Sequence, residues 1–256
     1  MSNVVAIAEK ELRGYFASPV GYVAIALFTV LFGLMYGGIV NWFADQSVRM
    51  NPMMGGPQSL NINQQLIRPL FLNMSVVFLF VLPLVTMRSY SEEKRSGTIE
   101  LLLTSPVTDF QIIAGKFLGA FGLYVVMLAV TLVHMGLLFW HGNPDWRPVA
   151  AGYLGMILFG AGFISLGLFI SSLTSSQVIA GIGTFALGLT LWIIDWIASA
   201  AGPTAQTVLQ YLSMTEHLDD FVKGVIDTRH LVYYFSLIAF GLFLTARSVD
   251  SERWRG

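Results

Sequence analysis

Three places in the sequence carry residues whose types could do chemistry. His134 stands in an otherwise uncharged run from Phe117 to Trp140, where an ionisable group is a functional candidate by position. The alternative, preferred here, is a neutral imidazole hydrogen-bonded between helices. Asp195 lies between Trp192 and Trp196; it either serves a polar pathway or, as preferred, reaches water at a boundary. Glu216, His217, Asp219 and Asp220 have metal-ligand chemistry, but a solvated helix face explains their spacing better. The absence of cysteine removes thiolate nucleophiles, disulfides and Cys-ligated zinc. The sequence has no G-x-x-x-x-G-K-[ST] phosphate loop, no H-E-x-x-H and no G-x-S-x-G. No covalent or nucleotide chemistry is expected in this chain, so energy for any work must come from elsewhere.

Composition fits that conclusion. Of 256 residues 55% are hydrophobic and 11% charged, with a mean hydropathy of +0.69, which is the composition of an integral membrane protein. The net charge of −1 and the lack of a dense Lys/Arg run exclude nucleic acid as an expected partner. The opening MSNVVAIAEKELRGYFASP lacks the layout of a cleaved signal peptide, so the amino terminus is expected to remain.

Residues 3–17 place Val5, Ala8, Leu12, Tyr15 and Phe16 on one side of a helix, with Glu9, Lys10, Glu11 and Arg13 mostly on the other. This suits a helix lying in the membrane interface, against a simple solvated leader. Ser18-Pro19 ends it. Spans are expected at 20–42, 69–87, 117–140, 149–170, 178–197 and 231–246. The stretch Pro148 to Ile194 is uncharged for 47 positions, enough for two crossings broken at Ser171–Gln177. Residues 45–68 read as an exposed loop. Pro83 is expected to kink the second span, and residues 198–229 are expected to form one or two short helices, with a capping box from Ser213 to Glu216.

Six spans put both termini on one side. With the segment 88–116, that side holds nine of the 14 Lys and Arg residues and the other side five. The bias places the termini and this segment in the cytoplasm, and Trp42, Trp140, Trp146, Trp192 and Trp196 at the outer ends.

The segment Arg88–Lys116 is the charged device between two spans. Glu92 to Arg95 form a solvated turn and Gly97 interrupts the helix. Thr98 caps a short helix carrying Ile99, Leu102 and Leu103, which Ser105-Pro106 stops. Thr108 and Gln111 make a capping box for the next helix. An apolar knob with a charged border is the result; from spacing alone it could seat in a partner's groove or lie flat on the membrane.

The run EEKRSGTIELLLTSPV followed by GK resembles the cytoplasmic loop of ABC-2 type transporter permeases. The opening EKELRGYFASPVGYV and the segment LSMTEHLDDFVKGVIDTRHLVYYFS resemble the gliding-motility-associated branch of that family. The resemblance spans the chain and implies one all-α transmembrane domain over 1–256: a polytopic membrane protein with six transmembrane helices, an amino-terminal elbow helix (3–17, with Glu9, Lys10, Leu12 and Arg13), a cytoplasmic coupling loop (88–116) and outer re-entrant helices (198–229). It puts Gly97, Thr98, Glu100, Leu101, Leu102 and Pro106 on the family's G-T-x-E-L-L pattern and its proline. Glu92, Glu93 and Arg95 fall on its charged lead-in, and Ile99 joins Leu102 in the hydrophobic seat.

The implied function is the permease subunit of an ATP-driven exporter in a bacterial-type inner membrane. The chain itself would hold no cofactor, with ATP and Mg bound by two copies of a separate cytoplasmic ATPase. A second permease, as homodimer or heterodimer, an accessory periplasmic or membrane protein, and membrane lipid complete the expected partners. The alternatives are an anchor or motor component of a gliding-type surface machinery and, with less support, a lipid-modifying membrane enzyme, for which the spans offer almost no clustered polar groups.

Overall fold

The computed structural model describes residues 3–50, 61–100, 107–200 and 202–253. Among these every regular element is helical: α1 (Asn3–Ala17), α2 (Pro19–Met50), a π-helical turn (Asn63–Ile67), α3 (Arg68–Thr86), α4 (Ser91–Ser96), α5 (Asp109–His141), α6 (Trp146–Ser172), α7 (Gln177–Ser199), α8 (Pro203–Leu212), α9 (Met214–Val222) and α10 (Thr228–Arg253). Among the described residues six stretches are long and apolar enough to cross a membrane, running Pro19–Val48, Asn63–Ser96, Asp109–His141, Trp146–Ser172, Gln177–Ala198 and Thr228–Glu252. The chain is an all-α, multi-pass membrane protein, as its hydropathy requires.

The breaks fall where local chemistry puts them. α1 stops at Ala17 and Pro19 opens α2. The uncharged run divides at 173–176, where the Ser176 hydroxyl accepts from the Ile179 N–H to cap α7. Thr108 and Gln111 form the expected reciprocal capping box at the start of α5, and the Ser213 hydroxyl accepts from the Glu216 N–H to start α9.

Lipid is as apolar as leucine, so helices in a membrane associate through close packing and hydrogen bonds. α3 and α6 are the most enclosed spans, while α2, α7 and α10 turn much of their surface outward. An aromatic line holds the centre: Phe28 of α2 stacks on Phe78 of α3 at 4.4 Å, and Phe78 meets Tyr124 of α5 edge-on at 4.7 Å. The Tyr124 hydroxyl donates to the Met156 carbonyl of α6, and its ring lies over Gly160, where a Cβ would come within 2.2 Å.

Several boundaries differ from the sequence reading. α2 continues to Met50, so Asp45 and Arg49 extend a helix instead of opening a loop; backbone hydrogen bonding carries a helix past the interface because ending it would free four carbonyls. The π-helical turn runs directly into α3, started by the Asn61 side chain accepting from the N–H groups of Asn63 and Gln64. α3 passes through Pro83 and ends three residues later, with the Met87 N–H on the Pro83 carbonyl at 2.9 Å. α10 is 26 residues long, extending beyond the 16 uncharged positions at both ends.

Candidate functional site

At the end of the bundle that carries α1 and α4, the centre is Lys116. Its Nζ lies 2.8 Å from Glu11 Oε1 of α1, 2.8 Å from Glu93 Oε1 of α4 and 2.7 Å from the Ser89 carbonyl. Its side chain is 1% exposed. An ammonium so buried is tolerable only with opposite charge and hydrogen bonds around it, and these bind three elements at one point. α1 reaches this position because Gly115 and Gly119 let it lie directly on α5; a Cβ on Gly119 would stand 2.5 Å from the Glu11 Cβ.

Other contacts fix the same junction. Tyr15 of α1 is buried and donates to the Val85 carbonyl of α3 at 2.9 Å; burial raises its phenol far above the ordinary range. The Ser171 hydroxyl of α6 accepts from the N–H groups of Tyr90 and Ser91 at 3.1 and 3.2 Å and donates to the Met87 carbonyl at 3.1 Å. Arg88 grips Glu92 with two nitrogens at 2.7 and 3.0 Å, and Lys94 reaches Glu252 of α10 at 2.6 Å. A cavity of about 270 Å³ opens between α1 and this loop, lined in part by Lys10, Arg88, Ser89 and Lys116.

The residues expected at this face divide accordingly. Glu93 is drawn into the ion cluster and Glu92 into the Arg88 pair, while Arg95 is exposed. Gly97 ends α4 with φ 72° and ψ 2°, the left-handed conformation that glycine adopts without strain. Thr98 shares a 2.8 Å hydroxyl contact with Ser96. The chain is helical again at 99–100, with Ile99 half-buried and Glu100 at the surface; Leu101, Leu102 and Pro106 lie outside the described residues, as does the rest of the expected short helix. In α1, Glu9 pairs with Arg13, Lys10 stands 3.7 Å from Glu93, and Leu12 packs over Gly122. The assignment of sides in α1 needs two corrections: Glu11 faces inward to Lys116, and Val5 is 46% exposed. An acidic side chain can occupy the packed face here because Lys116 meets it there.

At the opposite end α8 and α9 fold against α6, α7 and α10. Arg68 clasps Asp219 through two nitrogens at 2.7 and 2.9 Å, and Lys223 reaches the same carboxylate at 2.7 Å. Burial works to raise the Asp219 carboxyl, but the hydrogen bonds from Arg68 and Lys223 outweigh it and hold it below its usual range. Asp195 is half-buried and faces the Thr215 hydroxyl at 3.5 Å, within a cavity of about 280 Å³ that Arg68, Trp192, Trp196 and Glu216 also line.

The solvated-face reading of 216–220 holds for Glu216 and fails for His217, which is 1% exposed. Its Nδ1 lies 2.6 Å from His230 Nδ1, and its Nε2 3.0 Å from the Tyr211 carbonyl. Among the described residues no three His, Asp or Glu side chains are grouped as metal ligands. His134 is also corrected. Its ring packs edge-on against Phe32 and Tyr36 of α2 at 5.2 and 5.1 Å, and its buried Nδ1 has no hydrogen-bond partner. α2 offers it aromatic rings where an interhelical acceptor was expected.

Sequence reasoning passed over Lys116 as a mere boundary residue, and over Glu11, Ser171 and the His217–His230 pair. A lysine directly before an uncharged run, at a helix beginning with glycines four apart, is the signal that could have marked the first.

Comparison with known proteins agrees with this architecture. The sequence model for ABC-2 family transporter proteins matches residues 43–215. The probable multidrug ABC transporter permease YbhR of Escherichia coli (strain K12) is 30% identical over 144 residues, as is the protein of the same name in Escherichia coli O157:H7. Those residues are 56% of this chain and 39% of each relative, so the chain spans well under half the length of the curated relatives it matches. A family match from the end of α2 to the start of α9, on a six-span helical membrane fold, identifies the chain as a member of the ABC-2 transporter family.

Proposed function

We propose that this chain is the permease subunit of an ATP-driven exporter and that the loop 88–116 receives the stroke of a separate cytoplasmic ATPase. The observation that carries this reading is the Lys116 cluster, which ties α1, α4 and α5 together immediately beside the resumed helix at Ile99. A push on that helix is delivered to three elements at once because buried ion pairs resist separation. Ile99, with Leu102, supplies the apolar seat, and Phe110, 75% exposed one residue into α5, adds to it. Arg95, Thr98 and Glu100 form the polar rim that sets register.

In this reading α1 is the elbow helix at the cytoplasmic surface of a bacterial-type inner membrane, both termini are cytoplasmic, and α8 and α9 form the outer cap. Two permeases, identical or related, face each other above two ATPases, which bind the ATP and Mg, and rocking of one permease against the other alternates access. The likeness to the gliding-associated branch leaves the cargo unnamed. Affinity purification of the tagged chain in mild detergent, with mass spectrometry of what co-purifies, tests the proposal. Recovery of a stoichiometric P-loop ATPase supports it, and a folded chain recovered alone counts against it. Loss of substrate export in a deletion strain then separates an exporter from a mechanical anchor.

A further inference from the structure

The buried histidine pair has a definite proton arrangement. His217 Nε2 faces the Tyr211 carbonyl, which can only accept, so that nitrogen carries a hydrogen. His230 Nε2 lies 3.0 Å from the Asp220 carboxylate. The two Nδ1 atoms are 2.6 Å apart, and one hydrogen between them makes a bond. With its own hydrogen on Nε2, His217 joins that bond through a bare Nδ1. A proton added to His217 would put N–H groups on both sides of the contact, in a site where His217 and His230 are 1% and 6% exposed.

We propose that His217 and His230 form an acid-released latch that holds α9 against the last span, and that acidification at this face frees the helix. The two residues lie on different elements, 13 positions apart. Between them the chain turns at Gly224, whose φ of 89° is the left-handed conformation that glycine adopts without strain. The groups around the dyad favour release once the extra proton arrives. From α10, Arg229 adds positive charge and also stands over the Tyr211 ring at 5.5 Å. Tyr233 stacks on His217 at 3.8 Å and Tyr234 lies edge-on, but both hydroxyls are committed to carbonyls of Leu212 and Met214. The negative groups are Asp220, shared with Lys223 at 3.1 Å, and Asp227, occupied with the Arg229 N–H at 2.9 Å. α8 contributes the Tyr211 carbonyl and ring, and α6 meets α9 with Gly155 under Phe221.

The sign follows from burial, which pushes the latched His217 imidazole down to about 4 from an ordinary 6.5. The released form binds the proton more readily, so the latched-to-released ratio is highest above pH 6.5 and falls about tenfold per pH unit until about pH 4.

Amide hydrogen exchange on the full chain in lipid nanodiscs, corrected for intrinsic exchange rates, tests this. Protection of 214–222 is expected to fall about tenfold or more between pH 7.5 and pH 5 while 146–172 is unchanged. Equal protection of 214–222 at both values overturns the proposal. The variant His217→Asn keeps an acceptor near the Nδ1 position but cannot take the proton, so it should stay protected at pH 5; the same loss as in the parent chain overturns the assignment. If that variant is unprotected at both pH values, the nitrogen spectrum of labelled histidine in the parent chain decides. His217 titrating together with the loss of protection supports the latch, and His217 remaining neutral while protection is lost refutes it.

Discussion

Lys116 and Glu93 meet at 2.8 Å across the gap between α5 and α4, and the same ammonium is equally close to Glu11 of α1. One cation serves two carboxylates in a site its own side chain barely leaves, so its removal strands like charges close together. Lys116→Met is expected to destabilise the chain by about 3–5 kcal/mol, the usual cost of an uncompensated buried charge. Adding Glu11→Gln and Glu93→Gln should recover much of that loss. Thermal unfolding in detergent across the single and triple variants checks both; a triple variant as unstable as the single one would show that the lysine acts by packing.

Tyr124 over Gly160 gives a second prediction. A methyl group at Gly160 would stand within 2.2 Å of the ring, while the hydroxyl on Met156 stops the ring from moving away. Gly160→Ala should therefore cost about 1–3 kcal/mol through overpacking, despite alanine's better helix propensity. Gly37→Ala is the control, since no atom lies within 4 Å of its added Cβ; it should be neutral or stabilising in the same unfolding assay.

What could be read from the sequence followed from local rules. Uncharged length gave the six spans, Thr108 with Gln111 and Ser213 gave helix starts, and Gly97 gave a stop, because each depends on residues within one or two turns. The contacts that make sites were less visible. Glu11 and Lys116 are 105 positions apart and Tyr90 and Ser171 81, so only the tertiary arrangement joins them. His217 looked solvated because acidic neighbours flank it, yet the side of α9 it shares with Met214, Leu218 and Phe221 is the buried one. His134 looked like a hydrogen-bonding group because the sequence does not say which face of α2 will meet it.

Asp219 sets a pH window separate from that of the histidine dyad. Its carboxyl titrates below the ordinary 3.8 in the folded chain, because the hydrogen bonds from Arg68 and Lys223 outweigh burial. The stabilisation it supplies is complete above the unfolded value and is lost as pH falls below about 4 and through the folded one. Asp219→Asn should therefore lower stability at neutral pH and flatten its dependence below pH 4, leaving the change between pH 6.5 and 4 in place. Unfolding followed against pH separates the two; an Asp219→Asn profile parallel to the parent's below pH 4 would exclude this clasp as the source.

Ile99 and Leu102 bear on the proposed coupling. The chain is helical again at Ile99 after the left-handed turn at Gly97, next to α4, which Lys116 and Glu252 hold from two sides. Ile99→Asp with Leu102→Asp places charge in a surface that must lose water on contact, at a cost of several kcal/mol. The complex purified with this double variant should lose substrate-stimulated ATP hydrolysis by an order of magnitude or more, and the chain should still insert and unfold at the parent temperature. Arg95→Ala, on the exposed rim, should slow association and increase its salt sensitivity while leaving hydrolysis in the formed complex near normal. If both variants hydrolyse ATP at the parent rate with the ATPase bound, the stroke enters the membrane somewhere other than this helix.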